Sequence, residues 1–244
     1  MNLALLIIIF LMTCSISLLA ISKESDIALL SHSHAVAKTI SALQMVTSSD
    51  GDPKYIREVT SLKLQATASM HNYNNLNGGE FRKLNPIWEK IYPQLRVTSR
   101  EDLGWVVNNY LRQDFNAYLV ELYQVLNSKN MKSSHPKRWA AFQLDILCAR
   151  FFDVANSPQG ASSISPSDEG SININLINNQ LNKALTYFVK HSPPEEGFRF
   201  KSAKIKWNFI ENSVINYSLK AAPFLIYETK RKISEDLLLA TKSL

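Results

Sequence analysis

The stretch with the most chemical promise is Phe198–Tyr227, FRFKSAKIKWNFIENSVINYSLKAAPFLIY. Lys201, Lys204 and Lys206 interleave there with Phe198, Phe200, Trp207 and Phe209, and Tyr217 and Phe224 follow. Aromatic faces set among ammonium groups can stack flat ligands and hold anions. Asn212 and Asn216, with Asn208, fall near the apolar side of the same segment and add polar groups that could line a pocket. The candidate ligand- or partner-binding residues are therefore Lys201, Lys204, Lys206, Trp207, Asn212, Asn216 and Tyr217. A plainer reading competes. Phe200, Ala203, Trp207, Ile210, Val214 and Tyr217 recur at helical spacing, as expected of a helix that buries its aromatics while its lysines reach out to water. A second basic patch, Lys129, Lys132, Lys137 and Arg138, falls in a turn that suits lipid headgroups, a partner or plain solvation.

Catalytic signatures are missing from the sequence. It holds no nucleophile elbow, zinc-protease helix, phosphate loop, or kinase or dinucleotide fingerprint. His32 and His34 stand two apart and so on different faces of a helix. His71, His135 and His191 have no ligand partner at metal-binding spacing, so neither metal nor cofactor is expected. Gly78–Phe81 reads Gly-Gly-Glu-Phe, one residue short of the signature loop of diguanylate cyclases. That loop requires a central sheet, which this chain does not predict, and helix termination explains the glycines. Glu121 and Asp145 fall at helical positions where surface pairing or capping would account for them. Cys148, in the apolar run 142–152, reads as a buried structural thiol. With one cysteine outside the first segment, no disulfide is available to the body.

Helices must position all these residues. The first continues from the N-terminal segment to about Thr47, and Ser48–Asp52 turns the chain. Asp52 caps a second helix with Pro53 at its first position, and Asn77-Gly78-Gly79 ends it near Leu76. A connector, Glu80–Val97, is expected to be broken by Pro86 and Pro93. Ser99 is expected to open a third helix, with Asp102 as its capping-box partner, carrying an apolar stripe from Leu103 to Leu126. Further helices are expected over Pro136 to about Asn156, Ile172–His191, Arg199 to about Ala222, and Pro223 to about Lys242. Residues 157–170, rich in Ser, Pro and Gly, mark a possible subdomain boundary. The expected fold is all-α: an N-terminal transmembrane or signal helix followed by a bundle of about six to seven long helices.

Leu3–Ile21 carries no charge over nineteen residues, long enough to cross a ~30 Å hydrocarbon core. Residues 1–22 therefore read as a membrane anchor or signal segment, and 23–244 as the bundle domain. Ala20 and Ser22 would suit a cut before Lys23. The length of the run, the lack of a preceding base and the continuing helical pattern of Ile27, Leu30, Ala37 and Ile40 favour an uncleaved anchor. Met12 and Thr13 before Cys14 make a poor lipobox. The few nearby bases favour a cytoplasmic body, whereas a two-residue tail before a long polar body suits export, and the body is expected outside the cytoplasm.

The formal charge of +6 is spread along the chain, so nucleic acid is not expected as a partner. The architecture resembles the membrane-tethered helical-bundle sensor and adaptor modules of bacteria. It implies a single-pass, non-enzymatic protein that binds a ligand or partner, with a protein partner or homo-oligomer expected. The alternative is a structural scaffold of a cell-envelope assembly.

Overall fold

The computed structural model describes residues 3–76, 78–95, 99–100, 104–105, 109–155, 172–216 and 223–239. Side chains are described from Ala20 onward, except at positions 99, 100, 104, 105, 109, 110, 112 and 155. Among these residues the chain is all-helical apart from turns and one two-residue ladder.

Helix α1 spans Leu3–Ser48, 46 residues and about 69 Å at 1.5 Å per residue. It crosses the expected boundary at residues 22–23 without a break. Residues 20–24 are exposed, burial begins at Ser25, and from Ala28 to Val46 nearly every position is covered. A helix covered on all sides cannot be amphipathic, and the buried hydroxyls of α1 bond within the helix itself. Ser33, Thr39 and Ser41 each donate back to the carbonyl four residues earlier. Among the described residues no helix is long and apolar enough to cross a membrane. The apolar run 3–21 is helical within α1, and its side chains up to position 19 lie outside the description.

Asp50 and Gly51 take positive φ to turn the chain, and Asp52 accepts from the Lys54 amide at 2.8 Å to cap α2, Pro53–Asn75. This is the turn chemistry expected from SSDGD-Pro. Gly78 seats its backbone against the Tyr73 ring and donates to the Tyr73 carbonyl, closing the end of α2. Helix α3, Phe81–Ile91, runs through Pro86 instead of breaking there, because burial of Leu84, Trp88 and Ile91 holds the helix across the missing amide. The helix expected at Ser99 begins only at Asn109: α4 is Asn109–Ser128. Ser99–Arg100 (β1) instead pairs antiparallel with Gly104–Trp105 (β2). Gly104, a poor helix former, sits in β2, so no helix runs on from Ser99. Asp102, the proposed capping partner, lies outside the described residues.

After a short turn of helix, α5, Met131–Ser134, helix α6 covers Pro136–Ala155. Residues 139–154 of α6 are all buried, so α6 and α1 form the two-helix centre of the bundle. Helix α7 is Ile174–His191 and α8 is Pro194–Ile215. The latter opens five residues earlier than Arg199, since Pro194 suits the first helical position and Glu195 and Glu196 complement its positive end. Helix α9 is Pro223–Leu239. Around the centre, α1 packs on α2, α4, α6 and α9, while α6 packs on α1, α7, α8 and α9. Residues 157–170, the expected subdomain boundary, lie outside the described residues.

Candidate functional site

Three ionisable side chains meet inside the bundle, one each from α1, α6 and α9. His34 donates from Nδ1 to Asp145 Oδ2 at 2.7 Å, and Lys230 Nζ lies 3.3 Å from Asp145 Oδ1. Asp145 is fully buried and Lys230 only 3% exposed. Burial alone would raise the affinity of the Asp145 carboxylate for a proton. The ammonium groups of Lys230 and Lys38 and the His34 hydrogen bond outweigh it, bringing Asp145 down to about 2. Burial lowers the affinity of His34 for a second proton, against the pull of Asp145. Its Nε2 faces the Arg138 carbonyl oxygen at 3.1 Å, a contact that becomes a hydrogen bond only when Nε2 carries a proton. Burial thus works against a second proton, while the Arg138 carbonyl offers that proton an acceptor.

His32 serves the other half of the molecule. With Nδ1 it donates to the Ala66 carbonyl of α2, and with Nε2 it accepts from the Tyr118 hydroxyl of α4, both at 2.7 Å. Trp88 of α3 meets the ring edge-on at 5.2 Å. Fully engaged as the neutral tautomer and desolvated, His32 is lowered to about 4. Two histidines two residues apart thus tie α1 to opposite sides of the bundle, as their placement on different faces requires.

On its outer side the charge cluster borders a cleft of about 390 Å³ between α2 and α9, floored by α1. Its polar lining includes Lys38, Glu58, Lys230 and Ser234, and its apolar lining Leu62, Tyr227, Leu238 and Leu239. The Ser234 hydroxyl is buried and has no hydrogen-bond partner among the described residues. The Tyr227 phenol is pushed up by burial and by the Glu58 carboxylate beside it. At the rim, Lys54 pairs with Glu228 at 2.7 Å, joining α2 to α9. A second polar group, Gln44, Asn116 and Asp153, surrounds a void of about 10 Å³, room for about one water. Among the described residues no group of three His, Cys, Asp or Glu side chains is placed to hold a metal ion.

The residues singled out on α8 do not converge. Lys201 is exposed, Lys204 donates to Thr186 of α7 at 3.0 Å, and Lys206 pairs with Asp236 of α9 at 2.7 Å. Trp207 is fully buried beneath them with Phe200, Ala203, Ile210 and Val214, following the plainer reading of the helix. Asn208, Asn212 and Asn216 are exposed, turned away from the buried face that carries Trp207. Tyr217 lies outside the described residues. Of the two carboxylates expected at the surface, Glu121 pairs with Lys83 at 2.7 Å as anticipated. Asp145 is the correction: it belongs to the innermost helix. The signal for this site lay in apolar patterns interrupted by charge. Lys230 and Ser234 occupy the buried register of α9 shared by Ile226, Ile233 and Leu237, and Asp145 interrupts the apolar run of α6. Comparison with protein families, curated proteins and solved structures finds no match to this chain.

Proposed function

We propose that the protein is a membrane-tethered, non-enzymatic helical-bundle binding module, a sensor or adaptor displayed outside the cytoplasm, whose small-molecule site is the α2–α9 cleft. The observation that carries this reading is the convergence of Lys230 and the partnerless Ser234 hydroxyl on a cleft of about 390 Å³ with leucine walls. Its volume lies in the range of ordinary ligand sites, and an apolar lining with a few oriented polar groups is their usual composition. Ammonium and hydroxyl donors at one end and Leu62, Leu238 and Leu239 at the other suit a small amphiphile with an acceptor-rich head group. Because the cleft lies between α9 and α2, occupancy would bias how these helices sit on α1, the element that the tether reading carries into the membrane.

Two measurements test this on the full chain. A C-terminal reporter active only outside the cytoplasm, combined with membrane fractionation, reads tether and sidedness. An inactive reporter or a soluble chain overturns that part. Thermal unfolding of the reconstituted chain with hexanoate, butyl phosphate or hexanol reads the site. The two anions should raise the midpoint saturably and hexanol should not, with the rise absent in Ser234→Leu. No saturable rise, or an unchanged rise in the variant, overturns the site.

A second reading, an envelope scaffold, is favoured by one observation. Phe198, Ile205 and Phe209 are 64%, 61% and 66% exposed on the α8 face opposite Trp207. Concentration-dependent assembly that Ile205→Glu abolishes would support it over the sensor.

A further inference from the structure

We propose that the end of the bundle from which α1 emerges is a docking face for an anionic lipid surface. The inference rests on the tether reading but adds a contact that the tether does not require. Several contacts place separate elements at that end. Lys129, just after α4, pairs with Asp26 of α1 at 3.8 Å, and His135 lies within electrostatic reach of Asp26 and Lys23. The first turn of α6 reaches His34 through the Arg138 carbonyl. Lys137 of α6 pairs with Glu196 of α8 at 2.8 Å, which brings the α7–α8 turn to the same level. The α4–α6 turn therefore lies beside the exposed stretch 20–24 of α1, and the α7–α8 turn abuts that turn through Lys137.

The chemistry of this face matches a headgroup layer. Lys129 and Lys137 are neutralised by Asp26 and Glu196, and Arg82 offsets Glu80 on the α2–α3 side. Lys23, Lys132, Lys190 and Arg199 then outnumber Glu24 and Glu195. Two exposed aromatics stand among them. Phe198 carries the Arg199 guanidinium over its ring at 5.6 Å, and Tyr187 stacks on His191 at 4.3 Å. Aromatic rings beside basic side chains are the composition of membrane-interface anchors. The attraction of basic residues to anionic lipid adds over several side chains and falls off within a Debye length. The occupant is a bilayer surface and not a protein partner because the uncharged segment 3–21 is continuous in α1 with the exposed stretch 20–24, which these bases adjoin.

The test uses the full chain with the photoreactive residue benzoylphenylalanine at position 198, reconstituted in vesicles of phosphatidylglycerol or of phosphatidylcholine. A second preparation carries it at position 64, an exposed mid-helix site on α2. Lipid adducts are counted by mass spectrometry. At position 198 they should be several-fold more abundant in phosphatidylglycerol. They should fall to the phosphatidylcholine level in about 1 M salt, where screening shortens to ~3 Å, and in the variant Lys132→Glu/Arg199→Glu. Equal yields in the two lipids, or equal yields at positions 64 and 198, overturn the docking face. Flotation after an alkaline wash reports the tether separately. A chain that no longer floats refutes the tether, whereas salt-reversible flotation with phosphatidylglycerol alone would uphold the docking face without it.

Discussion

Asp145→Asn removes one negative charge at the point where three helices meet, and its cost can be worked from the site. The wild-type carboxyl lies at about 2 against an ordinary 3.8, so the folded protein favours its charged form by about 2 kcal/mol at 1.36 kcal/mol per unit. The variant also leaves the Lys230 ammonium buried without a counter-charge. Breaking a buried pair in this way costs about 3–5 kcal/mol in total, a large share of the ~5–15 kcal/mol typical of a folded domain. Urea unfolding of the reconstituted chain should therefore show a loss of that size. The pH dependence sharpens the expectation. A carboxyl lowered on folding contributes stability that is complete above its unfolded value and is lost as pH falls through the folded one. The gap between wild type and variant should stay constant above about pH 4 and narrow by about 2 kcal/mol towards pH 2. Adding Lys230→Met to Asp145→Asn should recover at least half of the loss. A loss under 1 kcal/mol, or a gap that persists unchanged to pH 2, would refute the account of the cluster.

Other outcomes follow from single features. His32, lowered to about 4 from 6.5, keeps the fold stable at neutral pH, and stability should fall by about 3 kcal/mol between pH 6.5 and 4. Denaturation in His32→Gln should lack that part of the slope. Gly78→Ala would drive a methyl group into the Tyr73 ring and should cost about 1–3 kcal/mol, whereas Gly79→Ala, with nothing within 4 Å, should be near neutral by thermal unfolding. Burial pushes the Cys148 thiol up to about 12. In a Cys14→Ser background it should resist maleimide in the folded protein and react fully in denaturant.

Turn chemistry was the most legible part of the fold. The run SSDGD-Pro forecast the hairpin of α1 and α2 because Asp52, Gly51 and Pro53 each suit a single role at their positions. The late start of α4 was hidden because its apolar stripe continues upstream over Leu103, Val106 and Val107, and periodicity does not register the glycine at 104. The charge cluster was only faintly legible for a different reason: charges interrupting the apolar patterns of α6 and α9 hint at burial but do not name their partners. His34, Asp145 and Lys230 are separated by 111 and 85 residues, and nothing local to any of them marks the others. Each looked like an ordinary polar residue on a helix. In the α8 stretch the packing role was the legible one: Trp207 and Phe200 are buried, and Lys204 and Lys206 reach α7 and α9.

The position of α1 has a consequence for synthesis. The first helix to leave the ribosome is also the one covered on nearly every face, and its covering arrives late. His34 waits for residue 145, and Asp145 in turn for residue 230, so the central charge cluster cannot close until α9 has been made. Until α4 and α6 follow, the buried stretch of α1 has only α2 to shield it. Contacts this distant in sequence slow folding and prolong exposure to aggregation. A chain stopped before α9 would leave Asp145 without the Lys230 ammonium and the α9-facing sides of α1, α6 and α8 uncovered, a form that chaperones and proteases would recognise.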